Sequence, residues 1–458
     1  MSSPLRVERF GTSARFLTIL ALAGLPLLAQ EALTLRQAVD LALHSNPLVA
    51  ASDAGEKEEE ARIHQARSGY LPRLQFSESL ERGSNPVFVF SSLLTQHQFS
   101  DANFAIGSLN RPDAMNNYQS QLTVEQVVFD ARQTSRTVAA ARFTHQIAGE
   151  DKRRSHLDIT LNVLCAYFGV TLAEENLGVA RHSVDSARAD LERAESIYQS
   201  GRSTQADVLA LRVHLAAMQE QQIRASNDLA VARAALNDAL GVSLDRRFEL
   251  TTLLESSVDA PEGTIEEYRR LSAENRPEMR QAEIAQRLAR TERQIAGVTY
   301  WPQVAFQGTV ESDRQNFLSK GGANWFTAVT LRWNLWNGGE TKSRVKQARC
   351  AESRAEALRK RADSTIHLEV LKAYLAVRAA AQRVEVASAA AAEAEESHRI
   401  IQNRYQAGLI TVTELLRSEA ALAAARTRRL AAVYDHRIAA AALEHAAGTL
   451  AADSALVN

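Results

Sequence analysis

A chain of 458 residues with 53 basic and 54 acidic side chains has a formal net charge of −1, so it lacks the basic surplus that nucleic-acid binding requires. The two cysteines, Cys165 and Cys350, are too few for a disulfide framework, and we expect both to pack as small apolar side chains. Length alone would suggest about three domains, but an internal duplication favours one elongated unit.

Residues 1–30 have the features of a secretory signal peptide. Three arginines give a positive region, an apolar run spans residues 16–25, and small residues follow at 28–30. We therefore expect this segment to be removed on export. No other stretch is predicted to be long and apolar enough for a transmembrane helix, which leaves periplasmic, secreted and outer-membrane β-proteins as the possible classes.

Two helices are predicted next. A capping box at Thr34 opens the first helix, and Asn46-Pro47 ends it and starts a second that runs to about Ser68. The same signals recur later in the chain, with a capping box at Thr264 followed by Arg276-Pro277. This recurrence is the first sign of a duplication.

Four segments then show apolar and polar residues in alternation. We predict strands at about residues 70–82, 117–129, 300–312 and 324–336, each with one apolar and one polar face. Strands of about ten residues with one apolar face, flanked by aromatic residues, are typical of transmembrane β-structure. The flanking aromatic residues are Tyr70, Tyr118, Phe129, Tyr300, Trp301, Trp325 and Trp336. A soluble antiparallel sheet over a core has the same alternation and remains the alternative.

Each strand pair is joined by a segment of loop composition. Residues 81–117 are rich in Gly, Ser, Asn and Pro, and residues 313–323 are the shorter counterpart. Because long loops of outer-membrane barrels face outward, both are predicted to be extracellular.

Long helices follow the strands. Residues 340–407 contain no glycine or proline and are dense in good helix formers, which predicts one unbroken helix of roughly 100 Å. In the earlier half of the chain, a coiled-coil-like seam is formed by Leu157, Leu161, Leu164 and Phe168. Tyr-x-x-Gly turns at 198–201 and 405–408 end the two long helices, and another helix is predicted from Thr204 to Gly241.

The chain is one large unit present twice. A shift of 207 residues superposes the two Tyr-x-x-Gly turns, and a shift of 230 carries Tyr70-Leu71-Pro72 onto Tyr300-Trp301-Pro302. The predicted division is a first repeat at 31–245, a linker at 246–263, a second repeat at 264–450 and a tail at 451–458.

Four lipid-facing strands cannot close a barrel, because unpaired sheet edges are too costly in hydrocarbon. The chain must therefore share a barrel with other copies. Two copies would give eight strands with a filled interior, and three would give twelve strands around an open lumen.

The duplicated order of helix, Asn-Pro or Arg-Pro, helix, Tyr-x-Pro, strand, loop, strand, long helix, Tyr-x-x-Gly and helix resembles the TolC-type outer-membrane efflux family. The resemblance implies a mainly α fold with a transmembrane β part. It implies a homotrimer in which a twelve-strand β-barrel in the outer membrane of a Gram-negative bacterium continues as a twelve-helix periplasmic tunnel. The implied function is the passive exit channel of a tripartite efflux pump or type I secretion system. Its implied partners are a periplasmic adaptor, an inner-membrane transporter and outer-membrane lipid.

The same resemblance places the tunnel mouth and the adaptor-docking site at the two helix turns farthest from the strands. The positions are Tyr198, Gly201, Thr204 and Asp207 in the first copy, and Tyr405, Gly408, Thr411, Glu414 and Arg417 in the second. A trimer would bring three Glu414 side chains into a ring that attracts cations. Ile410 and Arg417 depart from the family's pattern of a basic link and a second carboxylate, which predicts weaker charge selectivity.

Structural roles for these residues remain open beside the functional ones. Asp207 and Glu414 also fit ordinary first-turn acids favoured by the helix dipole. For Tyr198 and Tyr405, packing at the helix ends is the expected role.

No catalytic chemistry is predicted. The sequence has no phosphate-binding glycine loop, no cluster with metal-ligand spacing and no nucleophile elbow, so we expect neither enzymatic activity nor a cofactor or metal. A periplasmic adaptor and a purely structural exported coiled-coil protein are the alternative classes. The duplicated strand pairs count against both.

Overall fold

The computed structural model describes residues 31–201, 203–254, 263–454 and 456–457. The predicted signal peptide and residues 255–262 of the predicted linker lie outside the described residues. In chain order the elements are β1 (Glu31–Leu33), α1 (Leu35–Ser45), α2 (Pro47–Arg67), β2 (Arg73–Gly83), α3 (Pro86–Thr95), α4 (Ile106–Asn110), β3 (Met115–Phe129), α5 (Gln133–Gln199), α6 (Gln205–Leu240), β4 (Phe248–Leu250), α7 (Ile265–Asn275), α8 (Pro277–Val298), β5 (Gln303–Arg314), β6 (Gly322–Arg332), α9 (Glu340–Gln406) and α10 (Val412–Ala447).

The helices recur in matched pairs. Both α5 and α9 have 67 residues, and both α6 and α10 have 36. At about 1.5 Å per residue, each 67-residue helix is roughly 100 Å long. The predicted long helix at residues 340–407 is confirmed to within one residue of its end.

In the first copy, α6 and α2 stack end to end alongside α5. Gly241 ends α6 with a φ of +71°, and a Cβ there would lie 2.7 Å from the Cα of Asn46. The Asn46 side chain donates to the Ala239 carbonyl at 2.9 Å and accepts from the Leu48 amide at 2.9 Å, so it links the end of one helix to the start of the other. The two pieces therefore act as one interrupted rod.

The second copy repeats this joint with different chemistry. Gly448 ends α10 with a φ of +73°, and a Cβ there would lie 2.8 Å from the carbonyl carbon of Asn275. Arg276, at the start of α8, donates to the His445 carbonyl at 3.0 Å and to Glu369 at 2.8 Å. The Arg276 guanidinium therefore links the end of α10 to the start of α8, as the Asn46 side chain links α6 to α2 in the first copy.

The main hydrophobic core surrounds the middle of α5. Tyr167 is fully buried there, and its hydroxyl donates to the Leu33 carbonyl at 2.8 Å and accepts from the Thr252 amide at 3.0 Å. Leu33 belongs to β1, which pairs in parallel with β4 inside the predicted linker. This two-stranded sheet was not predicted, because strands of three residues are too short to show a period.

The predicted seam on α5 lies in this core. Leu164 and Phe168 are fully buried, while Leu157 and Leu161 are partly buried and pack against them. Within the described residues, α5 is also the one helix with an 18-residue window apolar enough to cross a membrane, and 44% of that window is buried in the protein. We predicted that no such stretch exists, and as a statement about composition this prediction was wrong. A helix buried in a protein core can be as long and as apolar as a membrane-spanning helix.

One antiparallel sheet of four strands, in the order β2-β3-β5-β6, joins the two copies. On one face Leu74, Phe76, Trp325 and Val329 are exposed, so the described part of the chain does not cover that face. A soluble sheet would bury its apolar face against a core, and this sheet does not.

Three strand ends differ from prediction by three residues or more, and one of them is the start of the third strand, which begins at Gln303. The first strand begins at Arg73, because Ser68–Tyr70 form a 3-10 turn that closes α2. The last strand ends at Arg332, so Trp333 and Trp336 lie beyond it. There the Trp333 indole donates to the Tyr300 carbonyl at 3.1 Å as the chain turns towards α9.

The predicted loop at 81–117 contains the helices α3 and α4, so the loop assignment was wrong there. Asn85 caps α3 by accepting from the Val87 amide at 2.9 Å, and an apolar run continues the helix. At the end of α3 the Gln96 amide donates to Asn117 at 2.8 Å, and Asn117 donates to Asp313 at 2.7 Å. Asn117 and Asp313 are on the polar face of the sheet, near the end that is farthest from the long helices. The helix α3 therefore lies over the polar face at that outer end of the sheet.

The two cysteines are free thiols. Cys165 is half-buried on α5, in keeping with its predicted packing role. Cys350 is exposed on α9, so the prediction that it packs as a small apolar side chain was wrong.

Candidate functional site: the two helix turns distant from the sheet

The first turn, between α5 and α6, is closed by a complete capping box. Gly201 leaves α5 with a φ of +72°. The Thr204 hydroxyl accepts from the Asp207 amide at 3.2 Å and donates to the Asp207 carboxylate at 2.8 Å. The hydrogen bond from Thr204 lowers the pKa of Asp207 below its ordinary value, so this carboxylate is committed to the cap.

The second turn, between α9 and α10, has the same backbone but a different use of its side chains. Gly408 has a φ of +73°. Thr411 precedes α10 without a side-chain capping bond. Glu414 and Arg417 are both exposed, and neither makes a side-chain hydrogen bond or ion pair within the described residues. The acid of the second turn is therefore available to solvent, unlike that of the first.

The two turns pack against each other through a small apolar cluster. Its fully or nearly buried members are Ala194, Val208, Leu211 and Val412, with Leu191, Tyr405 and Leu416 around them. The Tyr405 ring is half-buried here, and burial together with the charges of Asp190 and Asp207 raises the pKa of its hydroxyl. Tyr198 is 44% exposed and does not join the cluster.

A polar cluster that the sequence did not reveal lies about two turns of helix from the apolar cluster, towards the sheet. Asp190 on α5 is 1% exposed and accepts from Arg193 at 2.8 Å. Glu419 on α10 lies 2.8 Å from the His214 ring nitrogen on α6 and accepts from the Ser186 hydroxyl at 3.3 Å. On α9, the His398 ring lies 3.0 Å from the Ser418 hydroxyl.

The two carboxyl groups of this cluster differ in their affinity for protons. Burial, followed by the hydrogen bond and charge of Glu419, raises the pKa of Asp190 to about 7. Burial also acts to raise the pKa of Glu419, but its bonds to His214 and Asp190 outweigh that effect and hold the pKa below its ordinary value. In mildly acidic solution the pair therefore carries about one proton, held on Asp190.

A cavity of about 690 Å³ adjoins this cluster, between helices of both copies. Its polar lining includes His182, His214, His398, Gln402 and Glu419. Across the described ranges, no group of three or more His, Cys, Asp or Glu side chains is arranged to hold a metal ion.

Two long helical hairpins, each joined to a pair of strands with one exposed apolar face, define a class of protein: the outer-membrane channels. The chain belongs to the outer membrane efflux protein family, whose model matches residues 38–242 and 269–449. As a member of this family, the chain is an outer-membrane exit channel and not an enzyme. The family match confirms the predicted family, function and location.

Individual relatives agree with the family assignment. The chain is 27% identical to the alkaline protease secretion protein AprF of Pseudomonas aeruginosa, over 96% of this chain and 90% of AprF. It is 25% identical to the protein CyaE of Bordetella pertussis, over 91% of this chain and 84% of CyaE. The crystal structure of the Campylobacter jejuni CmeC outer membrane channel has the same fold, with a TM-score of 0.79 at 16% identity over 92% of this chain and 87% of that one.

Proposed function

We propose that three copies of this chain form a twelve-strand barrel in the outer membrane, continued by twelve helical rods in the periplasm. The observation that carries the proposal is the four-stranded sheet, whose edge strands β2 and β6 are each paired on one side only within the described residues. In hydrocarbon such edges must be paired. Twelve strands leave an open lumen, whereas eight strands would be filled by side chains, so a conduit favours three copies.

The helices also present surfaces suited to neighbouring copies. Apolar side chains are exposed along the two rods at Val213 and Ile223 of α6 and at Leu375 and Val386 of α9. Apolar side chains exposed along a long helix are suited to packing against another helix. In the trimer they pack against the rods of the next copy.

The helical part then delivers cargo from an inner-membrane transporter by way of a periplasmic adaptor, as in an efflux pump or a type I secretion system. The likeness to a relative named as an alkaline protease secretion protein supports a secreted polypeptide as the cargo. The predicted division into repeats at 31–245 and 264–450, with the signal peptide removed, belongs to the same proposal. The adaptor docks at the two turns, which comprise Tyr198 to Asp207 and Tyr405 to Arg417.

Purified mature protein tests this proposal. We expect it to extract with detergent from outer membranes, to migrate as a trimer in unheated gels, and to open stable channels in planar bilayers. Replacing exposed Val386 with Glu should weaken the trimer, whereas Glu385→Gln on the same helix should leave it intact. A monomeric mature protein that is soluble in water without detergent would contradict the proposed channel.

A narrower prediction concerns Glu414. In the trimer its free carboxylate forms part of an acidic ring at the mouth, which holds multivalent cations. Replacing Glu414 with Ala should raise the concentration of divalent cation needed for half-block of conductance by about tenfold, or about 1.4 kcal/mol.

The matched control is Glu385→Ala, an exposed glutamate roughly 30 Å from the turn along α9. This control should leave the block unchanged. If Glu414→Ala also left it unchanged, Glu414 would not be part of the mouth, and the first-turn structural role would stand instead.

A further inference from the structure

The polar cluster near the turns joins all four helices of the two hairpins. Asp190 comes from α5, His214 from α6, His398 from α9 and Glu419 from α10. The bond of His214 to Glu419 and that of Ser186 to Glu419 both cross from the first hairpin to the second. The polar contacts holding the hairpins together at this level therefore converge on one carboxyl group.

The contact between Asp190 and Glu419 requires a proton. Both are in hydrogen-bond contact, yet two ionised carboxylates have only acceptor oxygens and would repel. Asp190 Oδ2 is buried and receives no hydrogen bond from any other group in the described part of the chain. A proton on Asp190, donated to Glu419, satisfies both groups.

We propose that Asp190 and Glu419 share one proton that locks the two hairpins together near the mouth, and that loss of this proton as pH rises loosens the lock. The proton site is a property of the hairpins within one chain. Only its consequence for transport, a mouth that is tighter in acid, rests on the proposed channel.

The charged and titratable groups around the pair come from each helix packed against it. They are Arg193 on α5, His214 and Asp207 on α6, His398 and Tyr405 on α9, and Glu419 itself on α10. Arg193 favours ionised Asp190, but its side chain is 38% exposed and water screens part of its charge. The buried carboxyl neighbour and the loss of hydration outweigh it.

The sign of the pH dependence follows from Asp190. Its pKa rises from an ordinary 3.8 to about 7 in the fold, so the protonated contact stabilises the fold most below 3.8. That contribution is lost as pH rises through about 7. The lowered pKa of Glu419 acts in the opposite direction only in stronger acid, where Glu419 itself takes up a proton.

Hydrogen–deuterium exchange of the purified full protein at pH 6 and pH 8.5, corrected for intrinsic exchange rates, tests the lock. We expect protection of residues 186–196 and 412–422 to fall by about tenfold at the higher pH, while residues 160–170 in the main core stay unchanged. Asp190→Asn keeps the shape of protonated aspartic acid and should remove the pH dependence. Asp185→Asn, on the exposed face of the same helix, should retain it.

Glu419→Gln supplies a second variant, which removes the other member of the pair and should also abolish the pH dependence. Equal protection of the native protein at both pH values would overturn the proposal, as would a full pH dependence in Asp190→Asn. The exchange measurement needs no conductance. Failure of the protein to conduct would therefore count against the channel and not against the lock.

Discussion

Replacing Val329 with arginine is expected to prevent assembly of the protein in the outer membrane. Val329 is 72% exposed on the apolar face of β6, which faces lipid in the proposed barrel. An arginine near the middle of the bilayer costs about 2–4 kcal/mol, and a trimer would bear that cost three times. Membrane fractionation and unheated gels should show little trimer in the outer membrane.

The adjacent residue on the same strand provides the control. Thr330 points to the opposite, polar face, which already contains Arg332 two residues later. Thr330→Arg should therefore assemble normally and alter only conductance. If both variants assembled equally well, the apolar face would not contact lipid, and the sheet would need another covering.

The second large effect is expected at the joint between α6 and α2. Gly241→Ala puts a Cβ on a residue with a φ of +71° and within 2.7–2.9 Å of backbone atoms of Ser45 and Asn46. The left-handed conformation costs roughly 1–2 kcal/mol and the overlap roughly 1–3 kcal/mol, so the loss of stability should be about 2–5 kcal/mol. Thermal unfolding followed by circular dichroism should show a midpoint lower by about 2–6 °C, because the unfolding entropy of a chain of this size is large.

Gly55→Ala is the matched substitution. Gly55 lies inside α2, has no atom within 4 Å of its added Cβ, and has ordinary helical geometry. There alanine should stabilise the helix by about 0.5–1 kcal/mol. Equal midpoints for the two variants would mean that the helix ends do not meet at Gly241.

The parts of the fold that the sequence predicted are those with strong local signals. Helix ends can be predicted without tertiary information, because the residues that set them act within a few positions along the chain. Examples are Pro47, Gly241 and the capping threonines Thr34 and Thr264. The long helix from Glu340 needed only its composition. The helix α3 also has a local start signal, because Asn85-Pro86 precedes an apolar run. We did not predict the helix because the residues around it have the composition of a loop.

The parts that the sequence did not predict depend on contacts between distant residues. The pairing of β1 with β4 brings together segments more than two hundred residues apart, each only three residues long. Asp190 and Glu419 are also far apart in the chain. The sequence contains one indication of the cluster. Asp190 lies between Ala187 and Ala194 on the buried stripe of α5, where an isolated carboxylate is unusual.

The helix α3 makes the outer end of the protein unlike its periplasmic end. It occurs in the first copy alone and lies against the polar face of the sheet, which becomes the inner wall of the proposed barrel. At the helical end the two copies repeat closely, so the proposed trimer would be nearly six-fold symmetric there. At the exit of the proposed trimer the symmetry would fall to three-fold, with one copy of α3 from each chain beside the lumen. A secreted polypeptide would then meet a constriction at the exit, far from the turns and built from different residues.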